Sequence, residues 1–233
     1  MQRTVNDVMT RTVVVVGESA PFKEIVRLMR EYRVGALPVV DADGALVGVV
    51  TEGDLLLKGD PELHDPPRLF EPPERRAERS KARGLVAGQL MTSPACTVNP
   101  DATIAESARL MRDRGVKRLP VLAPSGLLVG IVSQPDLLKV FTRPDFEIER
   151  EVVHEIIEGE LSLEPGTVRA RVRDGVVVLD GQLERRALVP ALVDRVRAVD
   201  GVVAVESRLS YRPGRTEDVP VPVTWERLAI GAR

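Results

Sequence analysis

Two short motifs have residue types and spacing suited to chemistry: Thr51-Glu52-Gly53-Asp54 and Ser133-Gln134-Pro135-Asp136. Each places a hydroxyl three residues before a carboxylate, directly after an apolar run. One reading is structural, because this spacing caps the free backbone N–H groups at a helix start. The other involves a ligand. A carboxylate in the first turn can accept two hydrogen bonds from a ribose diol, while the hydroxyl and the helix N-terminus approach a phosphate. Both readings stay open on the sequence. A second chemical feature lies upstream of each motif. Val34-Gly35-Ala36-Leu37-Pro38 precedes the first, and Val116-Lys117-Arg118-Leu119-Pro120 precedes the second. Arg118 can grip phosphate oxygens through its guanidinium fork, although a solvated Lys117–Arg118 surface pair is an equal alternative. As a phosphate ligand, it would favour a more highly charged ligand beside the second motif than beside the first. Pro135 stands where the first motif has Gly53, a change that a helix's first turn tolerates.

Other chemistries lack support. Cys96 is the only cysteine, so an internal disulfide and a cysteine zinc site are excluded. His64 and His154 are isolated in sequence and receive no catalytic role. There is no nucleophile–base pairing, metal-ligand cluster or Walker-type loop, so the expectation is a protein that is not an enzyme and requires no cofactor. The 33 basic and 35 acidic residues nearly cancel, which argues against a nucleic-acid binder. The start has no apolar signal region and no run approaches a membrane span, so the expected location is cytoplasmic.

The motifs sit inside a repeat. Aligning Met9 with Met91 gives about 20 identities over roughly 48 positions, far above chance for unrelated stretches. Val8-Met9-Thr10 matches Leu90-Met91-Thr92, and Arg27-Leu28-Met29-Arg30 matches Arg109-Leu110-Met111-Arg112. Leu37-Pro38-Val39 matches Leu119-Pro120-Val121, and Gly44-x-Leu46-Val47-Gly48 matches Gly126-x-Leu128-Val129-Gly130. Aromatics are only 3% of the chain against 43% hydrophobic residues, so the core is aliphatic. Val13–Val16 reads as a short strand, with Ala95–Val98 its weaker partner. Ile25, Leu28 and Met29 carry helical spacing, as do Ile104, Ala108 and Met111. Leu37–Val40 and Leu46–Val50 are strands split by the turn Asp41-Ala42-Asp43-Gly44. A second helix follows Thr51. The fold class is α/β (α+β), with two pseudo-symmetric β-α-β-β-α units.

These motifs, in the same order twice over about residues 5–141, resemble the tandem CBS-domain pair, or Bateman module. The resemblance implies clefts between repeats that bind AMP, ADP, ATP or S-adenosylmethionine, and a homodimer formed through the pair. It assigns ribose binding to Asp54 and Asp136, and the hydroxyl role to Thr51 and Ser133. Thr10, Val13, Thr92 and Ala95 would line the adenine pocket, although core packing is the favoured explanation of these residues. Ala36, Leu37, Pro38, Lys117, Arg118, Leu119 and Pro120 complete the expected ligand-binding set.

Residues 1–58 and 90–141 are the two repeats, joined by a linker over 59–89. The pairs Pro66-Pro67 and Pro72-Pro73 stiffen it, and a mostly basic run, Arg75 to Arg83, follows. A solvated linker or short surface helix is expected there, with an anionic partner as the lesser reading. After Phe141 the pattern changes. Ile148, Val152, Val153, Ile156 and Ile157 form a helical stripe, and Val168–Arg173 alternates as a half-buried strand. Asp174-Gly175 marks a hairpin, Val176–Leu179 is its partner strand, and Asp180-Gly181 is expected to close it. Leu188, Leu192, Val196 and Val199 share a helix face, with Pro190 tolerable only near its start. Val202–Val205 is a last strand. This α-β-β-α-β order over residues 145–211 resembles the BON domain, which implies association with phospholipid or another hydrophobic ligand. Arg169, Arg171 and Arg173 share one strand face. They could meet lipid phosphates, a solvated surface or an acidic surface of the CBS pair. The tail, 212–233, holds the only Trp, Trp225; a docked arm and disorder are both open.

The expected function is regulatory: an adenine nucleotide or related adenosyl ligand in the CBS clefts, with a signal passed through the BON unit to a partner or the inner membrane surface. The alternative is a membrane-surface or protein-interaction adaptor with degenerate, ligand-free clefts.

Overall fold

The computed structural model describes residues 3–65 and 70–211. The chain divides into two compact units, Met1–Arg143 and Pro144–Arg233. Pro66, Pro67 and the tail with Trp225 lie outside the described residues.

The first copy runs α1 (Val5–Val8), β1 (Val16–Gly17), α2 (Phe22–Tyr32), β2 (Ala36–Val40), β3 (Leu46–Thr51) and α3 (Glu52–Leu56). Helix α4 (Pro73–Arg83) lies in the connection. The second copy runs α5 (Ala87–Leu90), α6 (Ile104–Asp113), β4 (Arg118–Leu122), β5 (Leu128–Ser133) and α7 (Gln134–Leu138). The helical stripes bury Ile25 and Met29 in α2 and Met111 in α6. Thr103 starts α6 with a capping box: Glu106 N donates to its hydroxyl at 3.1 Å, and Glu106 Oε2 accepts from Thr103 N at 2.9 Å. The backbone donor of Thr103, then its hydroxyl, hold the Glu106 carboxyl below its usual range. Strands β2 and β3 pair antiparallel, with Ala36 opposite Thr51; β4 and β5 repeat this with Arg118 opposite Ser133. Asp41 Oδ1 accepts from Asp43 N and Ala45 N at 3.0 and 2.9 Å, which closes the first hairpin.

The expected strand over Val13–Val16 is shorter. Only Val16 and Gly17 pair, in parallel with Val39 and Val40. The reason lies upstream. Thr10 exchanges both backbone hydrogen bonds with Ile131 of the other copy, each at 2.9 Å. Thr92 does the same with Val49, at 2.8 and 3.1 Å. Each lead-in segment therefore belongs to the opposite repeat. Val5 and Val8 pack with Met111, Leu119, Val132 and Leu137. Ala87 and Leu90 pack with Ile25, Leu37, Val39 and Val50. Two methionines complete the exchange. Met91 lies over Gly48 and Met9 over Gly130, so closely that a Cβ on Gly130 would meet the Met9 sulfur at 2.5 Å.

The second unit runs α8 (Asp145–Glu151), a π-helical continuation (Val152–Glu160), β6 (Val168–Arg173), β7 (Val176–Leu183), α9 (Leu188–Arg197) and β8 (Ala204–Tyr211). Its sheet has the order β6-β7-β8, antiparallel then parallel. Ile148, Val152, Ile157, Val177, Leu179, Leu192 and Val196 form its core. The Asp145 carboxylate accepts from Asp174 N and Gly175 N at 2.7 and 2.9 Å, which pins the hairpin turn to the start of α8. Two boundaries differ from expectation. Strand β7 continues through Asp180-Gly181 to Leu183, which is fully buried. Strand β8 begins at Ala204 rather than Val202, because Val202 N still bonds the Val199 carbonyl in the turn after α9. Pro190 is the third residue of α9, where its missing N–H has no helical partner to lose.

Gly48→Ala should test the exchanged packing. The added Cβ would lie 2.9 Å from both Met91 Cγ and the Thr92 carbonyl oxygen, one of them backbone. A loss of about 1–3 kcal/mol in urea unfolding is expected. An unchanged midpoint would show that this contact does not hold the lead-in segment.

Candidate ligand clefts

Exchange of the lead-in segments makes each cleft composite. One cavity, of about 250 Å3, is lined by Thr10, Thr12, Val13, Val14, Arg33, Val34, Ala36 and Pro38 from the first copy, with Arg118, Ile131, Ser133 and Asp136 from the second. Thr10, Val13, Ala36, Pro38, Arg118, Ser133 and Asp136 thus meet at one site. The cavity is built from both copies. The Lys117–Arg118 difference is therefore not a private property of a second cleft. Lys117 is exposed and is not among the residues lining this cavity. Arg118 reaches back to the first copy, with Nη1 3.4 Å from the Gly35 carbonyl oxygen.

Leu37 and Leu119 are corrections. Both are fully buried and face the two cores. On strands, neighbours of cavity-facing residues point to the opposite side, so Ala36 and Pro38 reach the cavity and Leu37 does not.

The Thr/Ser-x-x-Asp motifs do cap. Asp54 Oδ2 accepts from Thr51 N at 2.8 Å and from the Thr51 hydroxyl at 2.7 Å. Asp136 Oδ2 accepts from Ser133 N at 3.0 Å and from its hydroxyl at 2.5 Å. The following helices have five residues each, and their first turns are engaged in these boxes. The expected phosphate contact from a helix N-terminus is thereby weakened. The second oxygen of each carboxylate distinguishes the clefts. Asp136 Oδ1 is met by Lys139 Nζ at 2.6 Å, and that lysine side chain is 60% exposed. Burial opposes ionisation of Asp136, but the Lys139 ammonium and the Ser133 donors outweigh it and hold its carboxyl below the usual range.

In the other cleft, Asp54 Oδ1 is met by Lys81 Nζ at 2.5 Å, and the same ammonium donates to the Thr92 hydroxyl at 2.7 Å. Thr51, Asp54 and Thr92 are thus brought together. Half-buried Ala95 and buried Pro120 occupy the positions that match Val13 and Pro38. Lys81 comes from α4, so the basic run is not simply solvated. Arg79 is buried and donates to Glu71 Oε1 at 2.7 Å, to the Leu63 carbonyl at 2.8 Å and to the Asp65 carbonyl. The Glu71 carboxyl is held low and the Arg79 guanidinium high by this shared hydrogen bond. Lys58 Nζ donates to the Ala82 and Gly84 carbonyls at 2.9 and 2.7 Å, closing the C-terminal end of α4.

Arg33, Val34, Thr12, Val14, Ile131 and Lys81 are site residues that the sequence did not single out. Arg33 had a signal. It occupies a left-handed backbone position, φ 53°, where the aligned residue of the second copy is Gly115, φ 64°. A charged side chain where the fold prefers glycine suggests use of the side chain.

In the second unit, Arg169, Arg171 and Arg173 are exposed and alternate with Val168, Ala170 and Val172, as the pattern predicts. Their face is not purely basic. Asp180 pairs opposite Arg169, and Glu206 on β8 shares the row of Arg171 and Val178. Among the described residues no helix is long and apolar enough to cross a membrane, and no group of three or more His, Cys, Asp or Glu side chains is placed to hold a metal.

Two pseudo-symmetric repeats with exchanged lead-ins and composite clefts define a CBS pair. The CBS domain family matches residues 5–59 and 87–143, and the BON domain family matches residues 144–213; the chain belongs to the tandem CBS-domain proteins and carries a BON domain. Hypoxic response protein 1 of Mycobacterium tuberculosis is 30% identical over 136 residues, which is 58% of this chain and 83% of that protein. An uncharacterised protein of Methanopyrus kandleri is 30% identical over 137 residues, 59% of this chain, and the match spans 62% of its length. The crystal structure of CBSX2 in complex with AMP is similar with a TM-score of 0.51 and 30% identity, covering 59% of this chain and 95% of that one. CBSX2 is a chloroplastic CBS domain-containing protein of Arabidopsis thaliana.

Arg33→Gly should raise the unfolding free energy by up to about 1 kcal/mol, because glycine adopts this backbone without strain. Urea titration reads the change. A clear loss of stability would show that the Arg33 side chain serves the fold instead.

Proposed function

We propose that this protein is a non-enzymatic regulatory sensor whose CBS pair binds an adenine nucleotide or a related adenosyl ligand at the Asp136 cleft. The carrying observation is that one cavity gathers a carboxylate, two guanidinium groups (Arg33 and Arg118) and apolar wall residues. A mononucleotide presents the complement: a ribose diol for the carboxylate, a phosphate for the guanidinium groups and a flat base for Val13, Pro38 and Ile131. The cavity is slightly smaller than typical drug-sized pockets of roughly 300–1,000 Å3, which favours a compact ligand such as AMP. The AMP complex of CBSX2 supports the same choice.

Ligand binding stabilises the state it selects by RT ln(1 + [L]/Kd), about 2.7 kcal/mol at 100 times Kd. A second copy of the chain is the expected partner of the CBS pair. Leu56 and Leu138, at equivalent positions of the two repeats, are 76% and 60% exposed and suit such an interface. The BON unit would pass the signal to a partner or to anionic lipid at the inner membrane surface of the cytoplasm.

Calorimetry and thermal unfolding with AMP, ADP, ATP and S-adenosylmethionine test the sensing step. AMP should bind and raise the midpoint. Asp136→Asn should weaken AMP about tenfold or more, since a hydrogen bond to a charged group contributes about 1.5–3 kcal/mol. Absence of any response to all four ligands would sink the reading.

Co-sedimentation with phosphatidylglycerol vesicles tests the lipid arm. Replacing Arg169, Arg171 and Arg173 with Gln should abolish binding. Equal sedimentation of both forms, or none of the native chain, would leave a protein partner in place of lipid.

A further inference from the structure

We infer that Lys81 is a built-in occupant of the Asp54 cleft, so that the CBS pair takes adenine nucleotide in the Asp136 cleft alone. The inference rests on the nucleotide-binding reading of the clefts. A ribose diol needs an accessible carboxylate oxygen. At Asp54, Oδ2 is held by the Thr51 backbone and hydroxyl, and Oδ1 faces the Lys81 ammonium, which a diol would have to displace. The same ammonium also takes the Thr92 hydroxyl, on the lead-in segment that the second copy contributes to this cleft. Lys81 therefore bridges the repeats across the place where a sugar would lie.

The Asp136 cleft has a superficially similar contact, but its lysine differs in kind. Lys139 is three residues from Asp136 and 60% exposed, so it can swing into water with little loss. Lys81 is 18% exposed against an Asp54 side chain 11% exposed. It is also delivered by a helix that is fastened. Arg79, two residues earlier, is clamped by the Glu71 carboxylate and by the carbonyls of Glu62, Leu63 and Asp65. One residue later, the Ala82 side chain is buried and its carbonyl accepts from Lys58. To free Asp54, a ligand would have to draw a partly buried ammonium away from two partners while α4 stays anchored on both sides of it. The aligned repeats share Thr/Ser-x-x-Asp, yet the connection between them makes the two carboxylates unequal.

Equilibrium calorimetry and dialysis with AMP on the full chain test this. The native chain should bind one AMP, and Lys81→Met should bind two. Asp136→Asn should weaken the single native site about tenfold or more, and the double variant Lys81→Met/Asp136→Asn should again bind one AMP at full strength. Lys81→Gln, which shortens the side chain and removes the charge but stays polar, replaces Lys81→Met if the latter does not fold. Two sites on the native chain, or one site on both native and Lys81 variants, would overturn the occupant role while leaving nucleotide sensing intact. No AMP bound by any form would overturn the sensing reading, and the inference with it.

Discussion

The exchange of lead-in segments between the repeats is the constraint on which the CBS pair depends. Backbone hydrogen bonds carry it, among them those between Thr10 and Ile131 and between Thr92 and Val49. They are directional, and each pair aligns a segment with the last strand of the other copy, β5 or β3. The hydrophobic effect then acts on a fixed register. Val5 and Val8 enter one core, and Ala87 and Leu90 enter the other. Neither core is complete without residues from the opposite repeat, which couples the two repeats in folding. The glycines of the hairpins are part of this device. Gly48 and Gly130 let the methionines and the backbone of the crossing segments approach more closely than any side chain would permit.

The same exchange explains what the sequence showed and what it hid. Element type was legible because the period was legible: Ile25 and Met29 on a helix, Arg169 alternating with Ala170 on a strand. The repeat was legible because the same scaffold was written twice. The composition of the clefts was not. Periodicity describes which residues share a face, but not which repeat that face meets. The resemblance implied clefts between the repeats but not which residues meet in each; the crossing brings Arg118 and Asp136 to Thr10, Val13 and Ala36. Leu37 and Leu119 were assigned to the site by motif, and strand alternation sends them to the cores. Arg33 could have been found by comparing the copies, since it aligns with Gly115 and both take positive φ. Lys81 had no such signal, because a basic run looks the same whether its members meet water or a carboxylate.

The Thr/Ser-x-x-Asp motif illustrates how structural and functional roles divide within one side chain. In both copies Oδ2 is consumed by capping. This satisfies a backbone N–H that the short helix leaves without a partner, and it does so whether or not a ligand is present. The motif therefore reports the fold first. A ligand role would fall to Oδ1, and the lysine that meets it then decides whether the oxygen can be exchanged. A mobile, solvated lysine leaves the oxygen exchangeable. A lysine on an anchored helix does not.

That division places part of the difference between the two carboxylates outside the repeats. Duplication by itself yields two equivalent carboxylates, and no residue within either Thr/Ser-x-x-Asp motif makes them differ in what Oδ1 can accept. This difference enters from the connection, through a buried Arg79–Glu71 pair in which loss of either member would leave a charge without its partner. A buried ion pair of this kind contributes little as a source of net stability, because desolvation offsets attraction. Its value is positional. It fixes the helix at one register, and that register determines which cation faces Asp54. Sliding α4 by a single residue would turn the side chain at position 81 by about 100° and remove the ammonium from both partners. The inequality of the clefts is thus a consequence of where one guanidinium is clamped, several residues from any ligand atom.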